Sequence, residues 1–213
     1  DKPMDIFGGW RDYVRRLSDN WTAAVTDADT VVLPGDLSWA MKLPDSERDF
    51  AFINALPGKK LILKGNHDLW WTTVSKMKRF FSDHGFETLD IIHNNAFAVG
   101  DMALCGTRGW FFDDADPDKK VLLREAGRLE ASIRAALDTG LPPVVFLHYP
   151  PVAGGQVCEE IFGVLERYGI RRCYYGHIHG ARIKSAVQGP FRGVHLTLVS
   201  ADHLGFRPLR VGL

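Results

Sequence analysis

Four short apolar runs, each broken off by polar residues and separated by helical patterns, limit what this 213-residue chain can fold into. Residues 30–34 stop at Gly35-Asp36, residues 60–64 at Gly65-Asn66-His67-Asp68, residues 144–147 at His148, and residues 172–175 at Gly176-His177-Ile178-His179. Around them, apolar spacings of three and four predict helices over 10–26, 46–56, 70–84, 119–138 and 158–168, the fourth stopped by Gly140 with Pro142 and Pro143 beyond. Residues 88–92, 96–99 and 102–106 read as strands punctuated hairpin-fashion by Asn94-Asn95 and Gly100-Asp101. The tail reads as strands 182–187 and 193–199 around a turn at Gln188-Gly189-Pro190. No repeat, low-complexity tract or linker interrupts the chain, so residues 1–213 are expected to form one mixed α/β (α+β) domain.

The balance of charge excludes some function classes. Lys plus Arg and Asp plus Glu both number 26, with no long single-sign run, so bulk attraction to nucleic acid is not expected. Cys105, Cys158 and Cys173 form no CxxC and are odd in number, which suits reduced, buried thiols and a cytoplasmic location. No stretch reaches the roughly 18 uninterrupted apolar residues of a membrane span, and the first 30 residues lack a signal peptide's apolar centre.

The chemistry resides at the strand ends. In an open α/β sheet the carboxyl ends of strands line the crevice where ligands bind, so Asp36, Asn66, His148, His177 and His179 can meet although remote in sequence. Imidazole nitrogens with carboxylate and amide oxygens, and no thiolate, form a ligand set for Mn, Fe or Zn. Alternate residues of an extended segment share a side, so His177 and His179 can reach neighbouring positions, and one carboxylate such as Asp36 can bridge two ions. Two cations about 3.5–4 Å apart acidify a bridging water to a pKa of roughly 7, giving hydroxide at neutral pH for attack on a phosphoryl group.

At these residues the sequence resembles the calcineurin-like metallophosphoesterase superfamily, whose pattern runs D-x-H, G-D, G-N-H-[DE], H and G-H-x-H. Gly35-Asp36, Gly65-Asn66-His67-Asp68, His148 and Gly176-His177-Ile178-His179 match in order. The segments VLPGDLSWAMKLP, GNHDLWW, CGTRGW, LHYPP and YGHIHG also resemble an uncharacterised bacterial phosphohydrolase branch. The resemblance implies two mixed sheets sandwiched between helices, and metal-dependent hydrolysis of a phosphomonoester or phosphodiester by a metal-bridging hydroxide. It makes Asp36 the bridge between two divalent ions, gives Asn66, His148 and His177 to one ion and His179 to the other, and leaves His67 as general acid or phosphate stabiliser.

Two departures qualify the transfer. No D-x-H stands between Asp1 and Asp36, and the chain opens Asp-Lys-Pro without an initiator Met. The expectation is that the D-x-H lies before Asp1; without it one ion keeps only Asp36 and His179, and the centre holds a single metal. Second, GDLSWA replaces the GDxxDRG of protein Ser/Thr phosphatases and puts Trp39 where the acidic partner of their catalytic His would stand, so a phosphoprotein is a poor substrate guess. The expected partner is a small phosphorylated compound or nucleotide, with Arg108 able to clamp a phosphate and Tyr149 facing the cleft. The alternative is a non-catalytic metal-binding scaffold of the same fold. His84, His93, His195 and His203 are read as surface or core residues, and the tryptophans as core or cleft-wall packing.

Overall fold

A computed structural model describes residues 4–110 and 119–212. In chain order the elements are α1 (Tyr13–Ala24), β1 (Thr30–Leu33), α2 (Glu47–Ala55), β2 (Lys59–Ile62), α3 (Val74–Asp83), β3 (Leu89–Ile91), β4 (Ala96–Val99), β5 (Met102–Thr107), α4 (Lys119–Leu137), β6 (Pro143–Leu147), β7 (Val152–Ala153), β8 (Gln156–Val157), α5 (Glu159–Arg167), β9 (Arg172–Tyr175), β10 (Gly189–Phe191) and β11 (Val194–Leu198). Short 3-10 helices lie at Met4–Ile6, Leu43–Ser46 and Gly180–Ser185.

The strands form a parallel three-stranded sheet, β1-β2-β3, and a mixed six-stranded sheet, β10-β11-β9-β6-β5-β4, with β7 and β8 pairing separately. Period-two alternation makes both sheets apolar on both faces, as strands buried between two layers require. Leu61 and Leu63 meet Leu104, Val144, Phe146 and Tyr174 in the core between the sheets. The intervening residues face outward: Ile62 packs with Phe50, Trp70, Met77 and Phe81 beneath α2 and α3. Ala103, Cys105, Val145, Leu147, Cys173 and Tyr175 pack with Leu129, Ile133, Phe162 and Leu165 of α4 and α5. The result is a helix–sheet–sheet–helix sandwich, as the family resemblance implied. All three cysteines are buried and unbridged, and no helix among the described residues is long and apolar enough to cross a membrane.

The departures from the sequence reading have local causes. Residues 70–73 are not helical: Trp70 is buried with its indole N–H donating to Asp68 Oδ1 at 3.0 Å, and α3 begins only where the Thr73 hydroxyl accepts from Lys76 N at 3.4 Å. Asn94-Asn95 is a crossover, not a hairpin turn, because β3 belongs to one sheet and β4 to the other. The Asn95 side chain fastens that crossover, accepting from His93 N at 2.7 Å and donating to Ile91 O at 3.1 Å. The tail needs a correction too. Instead of a strand over 182–187, Gly180–Ser185 forms 3-10 helix, because Ile183 packs on the core together with Ala186 and Val187, a spacing of three and four rather than two. Gly189-Pro190 lies within β10, and the chain reverses at Arg192-Gly193, both with positive φ.

Candidate metal centre

Within each sheet the relevant strands run parallel, β1 beside β2 and β6 beside β9, so the carboxyl ends of each pair lie side by side. The two edges meet where His148 Nδ1, at the end of β6, lies 2.9 Å from the carbonyl oxygen of Pro34, at the end of β1. That contact joins residues 114 apart in sequence across the two sheets.

It also decides the state of the imidazole. Burial lowers the His148 pKa, against the pull of Asp36, so the ring is neutral; with Nδ1–H donating to Pro34 O, the Nε2 lone pair is bare. Yet Nε2 points at other acceptors, 2.7 Å from Asn66 Oδ1 and 3.5 Å from Asp36 Oδ2. His177 Nδ1 lies 3.0 Å from the same Asn66 oxygen. Nitrogen and oxygen atoms able to ligate a cation converge on one spot from four strand ends. Acceptors gathered so closely, one of them a carboxylate, repel one another, and a cation among them converts the conflict into coordination. One ligand atom from each of Asp36, His148 and His177 lies within 4.8 Å of the others, and the oxygen and nitrogen donors suit a borderline-to-hard divalent ion. The residues present therefore fit a metal.

The backbone is shaped to bring them there. Asp36 (φ 58°) and His177 (φ 68°) occupy the left-handed region, a sparsely populated conformation for residues with side chains that concentrates at functional sites. Gly35 and Gly65 let the β1 and β2 loops touch: a Cβ on Gly35 would strike the Gly65 backbone, and one on Gly65 would strike Asp36 Oδ1. The carboxylate of Asp68 clasps this crossing. Its Oδ2 accepts from Gly65 N at 2.7 Å and Asp36 N at 2.8 Å, its Oδ1 from Leu37 N at 2.8 Å and Trp70 Nε1 at 3.0 Å, and the side chain is wholly buried. Burial raises the Asp68 pKa, and the N–H groups around it oppose that rise. Asp36 Oδ1 in turn accepts from His67 N at 2.8 Å, leaving Oδ2 facing His148.

His179 lies outside the trio. Its Nδ1 is 2.8 Å from Asp202 Oδ1, and Asp202 Oδ2 accepts from Gly180 N at 2.8 Å. Burial raises the Asp202 pKa, but the bonds from His179 and Gly180 bring it below the ordinary value overall. A carboxylate on Nδ1 orients the ring and leaves Nε2 as the coordinating atom. The sequence reading missed Asp202, although β11 runs parallel to β9 and ends at the same edge. Asp68 and the His67 ring serve different ends: Asp68 holds the loop backbone, while the His67 ring packs on Trp39, ring centroids 4.3 Å apart. Tyr149 is buried against His177 and His148, ring centroids 4.6 and 5.1 Å apart, and Arg108 lies 3.8 Å from Glu125 beside the Trp110 ring.

Comparison with known proteins agrees with this architecture. Among solved structures, TT1561 of Thermus thermophilus superposes with a TM-score of 0.57 at 16% identity, over 92% of this chain and 85% of that one. The protein of unknown function AQ665 from Aquifex aeolicus superposes at 0.50 and 15% identity, over 97% of this chain and 84% of that one. Both likenesses concern the fold alone. No curated protein matches the sequence. The family model described as calcineurin-like phosphoesterase matches residues 5–181, which takes in Asp36, Asn66, His148, His177 and His179, and the chain belongs to that family.

Proposed function

We propose that the protein hydrolyses phosphate esters with divalent cations held at these strand ends. The observation that carries the reading is the convergence of acceptors on His148 Nε2, whose other nitrogen is committed to Pro34. Asp36, Asn66, His148 and His177 would hold one ion; Asp36 and the Nε2 of His179 would serve a second. Bound there, divalent ions acidify water and neutralise charge on phosphoryl oxygens. The protein's own part is positional. Pro34 O and Asp202 fix the tautomers of His148 and His179, Asp68 sets the loops that carry Asp36 and Asn66, and Tyr149 packs the two histidine rings in place.

His67 is the proton donor in this reading. Its backbone N–H is bound to Asp36 and its ring rests against Trp39 on the exposed side of the loop, next to the ligands without being one of them. From there it can protonate the leaving oxygen as the P–O bond to the leaving group breaks. His67→Ala is expected to lower kcat about 10²–10⁴-fold with metal content unchanged, read by hydrolysis of p-nitrophenyl phosphate and bis-p-nitrophenyl phosphate with added Mn²⁺ alongside elemental analysis. Comparable rates in wild type and variant would remove His67 from the mechanism, and no turnover by loaded wild-type protein would favour the scaffold.

A further inference from the structure

Next to the metal ligands opens a cleft of about 550 Å³ whose charged lining is mostly cationic. Lys64 comes from the end of β2, Arg108 from the end of β5, and Arg124 and Arg128, four residues apart, from one side of α4. The cleft adjoins the ligands through the chain itself. Lys64 immediately precedes Gly65-Asn66, and the Arg108 carbonyl accepts from the backbone N–H groups of His148 at 3.2 Å and Tyr149 at 2.9 Å.

Among the described lining residues one carboxylate faces these four cations. Glu125 is 1% exposed and already engaged, bonded to Arg128, accepting from Thr107 Oγ1 at 3.1 Å and lying 3.8 Å from Arg108. It holds two guanidinium groups in position and leaves the set with a clear excess of positive charge. His93, on the same wall, feels that excess: burial lowers its pKa, and the charge of Arg128 lowers it further. Like charges gathered in a partly enclosed space repel unless an anion joins them, and planar guanidinium groups with a lysine are the usual means of holding phosphate. The phosphoryl group under attack belongs at the metal ligands, so the cleft has room and charge for another.

We propose that the substrate carries a second phosphate group, bound in this cleft by Lys64, Arg108, Arg124 and Arg128 beside the one that reacts. This makes a phosphoanhydride or bisphosphate, such as a nucleoside diphosphate, the preferred class over a simple monoester. The proposal rests on the reading of the strand ends as the reaction centre, so its test uses neither metal nor turnover. Inorganic pyrophosphate is titrated calorimetrically into the full chain after chelator treatment, with Arg124→Gln, Arg108→Gln and Arg15→Gln for comparison. Arg124 is exposed on α4 and its loss leaves the Glu125 bonds in place. Wild-type binding that weakens with salt, falls about 10–100-fold in R124Q and R108Q, and is unchanged in R15Q supports the cleft. This pattern supports it even if the loaded protein turns nothing over, a result that would count against hydrolysis alone. No pyrophosphate binding, or binding equal in all four proteins, overturns the proposal.

Discussion

Asp36→Asn is expected to lose cation retention and phosphoester turnover together while remaining folded. The amide oxygen can still accept from His67 N, as Asp36 Oδ1 does at 2.8 Å, so the loop keeps its tie. What disappears is the negative charge opposite His148 Nε2, the one formal anion among the four converging ligands. Changes to groups that merely orient a ligand cost about 10–100-fold in metal affinity, so loss of the charged ligand should exceed about 100-fold. Elemental analysis after equilibration with Mn²⁺ and desalting, paired with the p-nitrophenyl assays, reads both quantities. Wild-type metal content in D36N would show that the carboxylate is not a ligand.

Asp68→Asn should fail differently, through stability. Both Asp68 oxygens are filled with N–H donors, and an amide NH₂ in place of either would set donor against donor at Gly65 and Asp36, or at Leu37 and Trp70. With two buried donors left unsatisfied, the expected loss is about 2–5 kcal/mol in urea unfolding, with metal affinity down about 10–100-fold as the loops slacken. D36N, by contrast, removes a carboxylate whose charge disfavours ionisation of Asp68 and should unfold near the wild-type midpoint. Equal midpoints for D68N and wild type would show that Asp68 is not the clasp.

These two residues also mark how far the sequence could be read. Asp36, Asn66, His148 and His177 were legible because each follows a short apolar strand, with a glycine at the exit of three of the four (Gly35, Gly65 and Gly176), and parallel strands then bring the ends together. Asp68 was not, because its work is to accept from N–H groups of a loop 31 residues away, and no spacing rule encodes a loop-to-loop contact. Asp202 had a signal that was overlooked: the strand over 193–199 was read as one arm of a terminal hairpin, when it also lies parallel to β9 and delivers its end to the same edge. The 3-10 turn at Gly180–Ser185 was mistaken for a strand because six residues are too few to separate a period of two from one of three.

The convergence of ligands can be checked by diffraction from crystals equilibrated with Zn²⁺, using anomalous scattering to locate the ion. A peak about 2.0–2.2 Å from His148 Nε2, His177 Nδ1 and the oxygens of Asp36 and Asn66 is the predicted result. Crystals saturated with zinc that show no density among these four side chains would contradict it.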